Sequence, residues 1–101
     1  MMTGTVQKQT VPLVSVVMAA YNAQAVIEKA IRSVLEQTMI DWELIIVDDC
    51  SNDSTAAVVR ALAQQEPRIT LFINEHNAGA AEARNKAMAL AKGKYVAFLD
   101  A

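Results

Sequence analysis

The chain has 101 residues, of which 53% are hydrophobic, and its formal net charge is −2 at pH 7. This length fits one small domain, and this apolar content is enough for a packed core and argues against disorder. The nine Lys and Arg residues are scattered along the chain, so no basic stripe indicates binding to nucleic acid.

A single cysteine, Cys50, excludes an internal disulfide and fits a reducing compartment. No apolar run reaches the length of a membrane-spanning helix. Residues 1–11 are predicted to form a flexible tail, because they are mostly polar and lack the apolar core of a signal peptide. We therefore expect a cytoplasmic location, with peripheral association with a membrane as the alternative for a full-length protein.

Apolar runs and helical periodicities alternate along the chain. The predicted strands are Leu13–Ala19, Leu44–Val47, Ile69–Ile73 and Lys94–Leu99, and the predicted helices are Ala23–Gln37, Ser54–Gln65 and Ala78–Lys92. Asn22 is predicted to be the N-cap of the first helix, because its side chain can accept from free N–H groups. Gly93 is predicted to be the C′ residue of the third helix.

The βαβαβαβ alternation predicts the α/β class, with a Rossmann-like open parallel sheet flanked by helices. Strand order 3-2-1-4 is the expected order, although the alternation alone does not fix it. This order places the first and fourth strands side by side, with a crevice at the carboxyl ends of the strands where the order reverses. Ligands of open α/β sheets bind in such a crevice.

Polar side chains follow the strands at this edge. Asp48 and Asp49 end the most apolar strand, and we expect both to be exposed, because an unpaired carboxylate in an apolar site is costly. Tyr21 follows the first strand and Asp100 follows the fourth. Asp48 is interpreted as a turn-capping or salt-bridging acid rather than a ligand contact.

These residue types predict recognition of a nucleotide. A carboxylate can accept from a base N–H or a ribose hydroxyl, or bind a hard cation, and a tyrosine ring offers a face for a base. Arg84 lies in the first turns of its helix, where its guanidinium and the helix dipole both favour phosphate. Glu82 and Lys86 are expected to form an i, i+4 pair on the same helix.

Five segments in order resemble the family 2 glycosyltransferases of the GT-A fold. They are Val14–Asn22 (VSVVMAAYN), Leu35–Thr38 (LEQT), Trp42–Asp53 (WELIIVDDCSND), Asn77–Asn85 (NAGAAEARN) and Gly93–Asp100 (GKYVAFLD). Any one of these segments alone would be weak evidence, whereas five in the family's order are specific. The resemblance covers essentially everything except the tail.

The resemblance implies a nucleotide-sugar transferase and assigns roles to particular residues. It places Ala19, Tyr21, Asp49, Arg84 and Asp100 in the nucleotide-binding set. Tyr21 would stack near uracil, Asp49 would bond the base, and Arg84 would lie near the nucleotide. Asp100 would open the Asp-x-Asp motif, which engages the ribose and a Mg²⁺ or Mn²⁺ ion on the diphosphate.

Residues 12–101 are accordingly expected to be the nucleotide-sugar-binding part of such a domain, ending inside Asp-x-Asp. The resemblance implies transfer with inversion from a UDP-sugar to an unknown acceptor, in cell-wall or polysaccharide biosynthesis. The family's catalytic base would lie outside this chain, so the isolated chain is expected not to transfer sugar. Uncovered apolar surface also predicts self-association into a homo-oligomer.

Three alternatives remain open at the level of sequence. A receiver-like phospho-acceptor domain also has an acid pair after one strand and a lone Asp two βα units later, but it begins with the acid-pair strand. A dinucleotide-binding oxidoreductase is disfavoured, because no G-x-G-x-x-G follows a strand. The last alternative is an inactive α/β fragment that binds nothing measurable by itself.

Overall fold

A computed structural model of the protein describes residues 11–100, and its strands and helices alternate as the sequence predicts. The elements are β1 (Val14–Ala20), α1 (Ile27–Glu36), β2 (Trp42–Asp48), α2 (Thr55–Gln65), β3 (Ile69–Ile73), α3 (Ala80–Leu90) and β4 (Tyr95–Phe98). The predicted tail, residues 1–11, lies outside the described residues except for Val11, which is exposed.

The four strands form one parallel sheet in the order β3-β2-β1-β4, which confirms the expected topology. β2 lies in the interior of the sheet, and its apolar run is buried on both faces, as is typical of a parallel strand covered by helices. The chain adds β2 and β3 on one side of β1 and then places β4 on the other. The order therefore reverses beside β1, so the carboxyl end of β1 is the expected ligand site.

Successive residues of β2 face opposite sides of the sheet, and different helices cover the two sides. Leu44 and Ile46 pack with residues of α1 and α2 in the larger core. Ile45 and Val47 pack with α3 in a smaller core, to which this helix contributes only alanine side chains. Because alanine is small, the backbone of α3 can lie close to the sheet.

α1 begins four residues later than predicted, at Ile27 rather than Ala23. The N–H groups of Val26 and Ile27 both donate to the carbonyl oxygen of Ala23 in a turn that precedes the helix. The prediction that Asn22 caps the helix is wrong. Its backbone is left-handed, with φ of 48°, and its side chain bonds a different loop.

The prediction that Gly93 is a C′ residue is also wrong. α3 ends at Leu90, and the cap position is occupied by Ala91 with extended backbone. Gly93 is needed for a close approach to β1, since an added Cβ would lie 2.6 Å from both the backbone nitrogen and the Oγ of Ser15. Its N–H donates to that Oγ over 2.7 Å, which fastens the α3–β4 connection to the sheet.

β4 is exposed along its whole length. Tyr95 and Phe98 expose 58% and 57% of their surface. An exposed strand with apolar side chains favours association, and self-association stays a prediction. Within residues 11–100, no helix is long and apolar enough to cross a membrane.

Candidate functional site

Asp48 and Asp49 lie at the carboxyl end of β2 and are almost completely buried, with 1% and 2% of their surface exposed. The expectation that both are exposed is therefore wrong. It rested on the cost of burying an unpaired carboxylate, but each of these carboxylates accepts hydrogen bonds from at least two donors. Among the described residues, no buried side-chain nitrogen or oxygen lacks a partner.

Asp48 holds the loop that follows β2. One of its oxygens accepts from the backbone N–H of Ser51 over 3.2 Å, and the other accepts from the Ser51 hydroxyl. By the alternation of the strand, Asp48 continues the face of Leu44 and Ile46, which α1 and α2 cover. This geometry agrees with its interpretation as a turn-capping acid.

Asp49 continues the opposite face and holds the loop before α3. One oxygen accepts from the side-chain amide of Asn74 (2.8 Å) and the N–H of Ala78 (2.9 Å), and the other from the N–H of Gly79 (2.8 Å). Burial raises the pKa of Asp49, but these three donors outweigh burial, so the pKa lies below its ordinary value. Asp49 is therefore an ionised acceptor at neutral pH.

Asn74, the first residue after β3, was missed by the sequence reasoning. Lys86 donates from Nζ to Asn74 Oδ1 over 3.3 Å and lies 3.9 Å from the centre of the Phe72 ring. Because lysine is only a donor, this contact turns the amide Nδ2 of Asn74 toward Asp49. The predicted Glu82–Lys86 pair is not among the ion pairs of residues 11–100. A polar residue directly after a strand was the signal that could have found Asn74.

The β1–α1 and β2–α2 loops are joined by hydrogen bonds in both directions. The bonds run from Asn22 N–H to Ser51 Oγ (2.8 Å), Asn52 N–H to Asn22 Oδ1 (2.8 Å), Ala23 N–H to Thr55 Oγ1 (2.8 Å), Gln24 N–H to Asp53 Oδ2 (3.2 Å) and Ser54 N–H to Gln24 Oε1 (3.0 Å). The hydroxyl of Thr55 is the main cause that lowers the pKa of Asp53, and backbone N–H groups add to it. Each loop thus fixes the backbone of the other.

A cavity of about 220 Å³ opens at the carboxyl ends of β1 and β2. It is lined by Ala19, Ala20, Tyr21, Asp49, Asn77, Gly79 and Ala80. Tyr21 is 48% exposed. Gly79 has φ of 99°, and an added Cβ would meet no atom within 4 Å, so this backbone faces open space. The structure thus brings together three of the predicted site residues, Ala19, Tyr21 and Asp49.

Arg84 and Asp100, the other two, do not line this cavity. Arg84 is half-buried, one turn beyond Ala80 on α3, and forms no ion pair with another residue of the described chain. Asp100 is exposed after β4. The N–H of Leu99 donates to the carbonyl of Val17 over 3.0 Å, which continues the β1–β4 pairing, so Asp100 leaves the sheet at the same edge as the cavity.

The described residues fit a metal ion only in part. Asp100 is an accessible carboxylate, but residues 11–100 contain no group of three His, Cys, Asp or Glu side chains that could hold an ion. Both oxygens of Asp49 already accept hydrogen bonds within the protein. A hard cation takes six or more oxygen ligands, so Asp100 would supply one, and diphosphate, water or further residues would supply the rest.

A larger concavity, of about 850 Å³, lies at the opposite edge of the sheet, before the strands begin. Its main cation, Arg68, is already paired with Glu66 at 2.7 Å and stacked 3.8 Å over Trp42. The guanidinium is therefore occupied by the protein itself. The carboxyl edge combines an open aromatic face with an ionised acceptor, and this combination can hold a base whose edge donates a hydrogen bond.

Comparison with known families matches residues 15–101 to the family described as "Glycosyl transferase family 2". The chain is 51% identical over 89 residues to TuaG of Bacillus subtilis (strain 168), which is named as a glycosyltransferase of teichuronic acid biosynthesis. It is 47% identical over 88 residues to WfgD of Escherichia coli, named as a UDP-Glc:alpha-D-GlcNAc-diphosphoundecaprenol beta-1,3-glucosyltransferase. The matches cover 88% and 87% of this chain but only 35% and 34% of those proteins. The chain thus spans about a third of their length.

Two solved structures are similar to this one. The crystal structure of S. aureus TarS 1-349 in complex with UDP has a TM-score of 0.81 at 30% identity, over 87% of this chain and 27% of that chain. The mannosyltransferase PcManGT of Pyrobaculum calidifontis, in complex with GDP-Man and Mn²⁺, has a TM-score of 0.78 at 32% identity, over 86% and 26%. These neighbours are GT-A glycosyltransferases, and the predicted fold class is confirmed.

Proposed function

We propose, from the premise that the chain belongs to glycosyl transferase family 2, that it binds the nucleotide of a UDP-sugar whose sugar the whole enzyme transfers, with inversion, to an acceptor. Because the family and the named relatives are glycosyltransferases, glycosyl transfer is the activity assigned to the whole protein. The observation that carries nucleotide binding is the cavity bounded by the exposed ring of Tyr21 and the ionised carboxylate of Asp49.

Asp49 would select the base through its hydrogen-bonding character. Because its pKa is low, it offers acceptors only, and one of its oxygens accepts a single bond, from Gly79. Uracil presents the N3–H donor that such an oxygen needs, whereas cytosine presents an acceptor at N3 and its donor at the neighbouring N4, so cytosine would have to shift in the cavity to bond the same oxygen. Tyr21 would stack on the base, a contact typically worth about 1–3 kcal/mol.

The remaining predicted residues would contact the sugar-phosphate part of the donor. Arg84 has no ion-pair partner within residues 11–100 and would pair with phosphate. Asp100 would engage the ribose and serve as one ligand of a Mg²⁺ or Mn²⁺ ion. When bound, such an ion neutralises the negative charge of a departing diphosphate.

The comparisons support a nucleotide donor and leave its base open. TarS was crystallised with UDP and PcManGT with GDP-Man and Mn²⁺. Guanine also presents N–H donors that Asp49 could accept, so uridine is proposed on the family resemblance rather than on the size of the cavity. The names of TuaG and WfgD support an acceptor in cell-wall or polysaccharide synthesis. A cytoplasmic location remains a prediction.

Calorimetric titration with UDP tests this proposal directly. We expect binding with a Kd from about micromolar to millimolar, tighter with Mn²⁺ and at least tenfold weaker for CDP. Tyr21→Ala should weaken UDP binding about tenfold, the equivalent of about 1.4 kcal/mol. Tyr95→Ala is the matched control, because Tyr95 is another exposed tyrosine but lies at the start of β4, away from the cavity.

Equal affinity for UDP and CDP would refute the assignment of Asp49. Absence of binding would support the inactive-fragment alternative for this chain. The receiver-like alternative is not favoured, because both acids of the pair are buried and already hold their own loops. Labelling of Asp48 or Asp49 by a small phosphodonor would nevertheless restore it.

A further inference from the structure

Tyr21, the proposed stacking residue, depends on its backbone for its position. It lies in a bend between β1 and α1 and exposes about half of its surface, so little packing holds its ring. The next residue, Asn22, has φ of 48°, a left-handed conformation that residues other than glycine adopt at an energetic cost. This backbone must therefore be held from outside, and the β2–α2 loop is what holds it.

The Ser51 hydroxyl makes the connection. Its oxygen accepts from the N–H of Asn22 over 2.8 Å, and its hydrogen goes to an oxygen of Asp48. A hydroxyl has one hydrogen, so donating it to Asp48 leaves only lone pairs to face Asn22. The carboxylate of Asp48 thus determines that Ser51 can accept the Asn22 N–H.

A second hydrogen bond joins the same two loops, with its donor in the β2–α2 loop. The N–H of Asn52 donates to Oδ1 of Asn22 over 2.8 Å. Asparagine tolerates the left-handed region better than most residues, and here its side chain is also used. Asn22 is therefore bound to the neighbouring loop through both its backbone and its side chain.

We propose that Asp48 and Ser51 are positioning residues for base recognition, which fix the backbone at Asn22 and thereby set the ring of Tyr21 over the cavity. This inference rests on the proposed function, because it needs a base that stacks on Tyr21. It gives the first acid of the pair a part in donor binding without any contact with the donor. Asp49 forms the acceptor for the base, and Asp48 sets the position of the Tyr21 ring through Ser51 and Asn22.

Ser51→Ala tests the inference with the least disturbance. It removes the hydroxyl, and we expect UDP affinity to fall about three- to tenfold, as for the loss of one hydrogen bond. Ser51→Thr, which keeps a hydroxyl, should recover most of the affinity. Ser54→Ala is the matched control, because Ser54 is exposed in the same loop and makes no side-chain cap; its UDP affinity should not change.

A double-mutant cycle with Tyr21→Ala separates positioning from a general structural effect. If Ser51 acts through Tyr21, Ser51→Ala should weaken binding in the unaltered protein but have no effect in the Tyr21→Ala background. Additive losses in the double variant would overturn the inference, and so would unchanged affinity in Ser51→Ala. If the unaltered protein binds no UDP, the proposed function fails and the inference with it, a result distinct from the other two.

Amide hydrogen exchange reports on the loop without any ligand. Exchange at Asn22 should be faster in Ser51→Ala than in the unaltered protein and unchanged in Ser54→Ala. Should Ser51→Ala not fold, Asp48→Asn is the second variant. In one orientation the new amide nitrogen faces the backbone N–H of Ser51, so two donors oppose each other. In the other orientation it donates to the Ser51 hydroxyl oxygen and turns the hydroxyl hydrogen away. Unchanged exchange at Asn22 in both variants would overturn the inference.

Discussion

Asp48 and Asp49 are neighbours in the sequence and equally buried, yet they stabilise different parts of the molecule. Asp48 accepts both of its hydrogen bonds from Ser51, three residues further along the chain. Asp49 accepts from Asn74, Ala78 and Gly79, which are 25 to 30 residues away. The first acid shapes its own turn, and the second joins β2 to the loop that begins α3.

The alternation of side chains along β2 explains this difference. Asp48 continues the face covered by α1 and α2, and Asp49 continues the face covered by α3. One pair of adjacent acids at a strand end therefore reaches the loops on both sides of the sheet. Burial does not distinguish the two acids, whereas the sequence separation of their partners does.

The largest expected effect is on stability when Asp49 is removed. Asp49→Ala leaves two backbone N–H groups and a side-chain amide without their acceptor, and we expect a loss of about 3–5 kcal/mol in the free energy of unfolding. Asp48→Ala leaves only the donors of Ser51 and should lose about 1–3 kcal/mol. Urea denaturation of both variants at pH 7 measures the difference.

Asp49→Asn and Asp48→Asn are the isosteric controls, because each keeps the volume and half of the acceptor capacity. They should lie between the unaltered protein and the alanine variants, in the same order. An equal loss for the two alanine variants would mean that the separation of the partners along the chain has no influence on stability. The two acids would then differ in the loops they contact but not in how much they stabilise the fold.

The topology could be predicted because it depends on regular patterns. Short apolar runs alternate with helical periodicities, and the crossover rules for parallel strands reduce the possible orders to a few. The face of each β2 residue also follows from a period of two. The four-residue error at the start of α1 arose because Asn22 is a good capping residue by type, whereas the turn at Ala23 and the bond to Asn52 determine its actual conformation.

The burial of the acid pair could not be predicted from local sequence. The cost of a buried carboxylate depends on its partners, and those of Asp49 come from a loop about 25 residues later in the chain. Gly93 was misassigned for a similar reason. A glycine after a helix is a common C′ residue, but here its place is set by contact with Ser15, far away in sequence. Local rules miss requirements that distant residues impose.

A smaller effect is expected at acidic pH, where Asp49 and Asp53 should contribute differently to stability because Asp49 is buried and Asp53 is exposed. The pKa of Asp49 is lowered in the folded protein, so the unfolded chain takes up its proton first as the pH falls through the unfolded value of about 3.9. Stability from Asp49 is therefore complete above about pH 5 and is lost as the pH falls through the unfolded value and then through the lower pKa of the folded state. When urea denaturation is measured at a series of pH values, Asp49→Asn should lose less stability in acid than the unaltered protein does.

Asp53→Asn is the comparison for this measurement. Its pKa is also lowered, chiefly by the hydroxyl of Thr55, but Asp53 is exposed and lies in the loop that follows Asp48. Solvent screens exposed groups, so this variant should flatten the acid loss less than Asp49→Asn does. A larger change for Asp53→Asn would show that the β2–α2 loop, rather than the loop before α3, governs acid stability.

The smallest expected effect comes from Lys86, which acts on Asp49 only through Asn74. Its Nζ donates over 3.3 Å from an exposed position, so Lys86→Met should cost no more than about 0.5 kcal/mol of stability. Without this donor, the Asn74 amide is free to turn its oxygen toward Asp49, and we expect UDP affinity to fall about twofold. Glu82→Gln should change neither quantity, because Lys86 bonds Asn74 instead of Glu82. If Glu82→Gln has the larger effect on stability in urea, the predicted i, i+4 pair forms in solution and competes with the contact to Asn74.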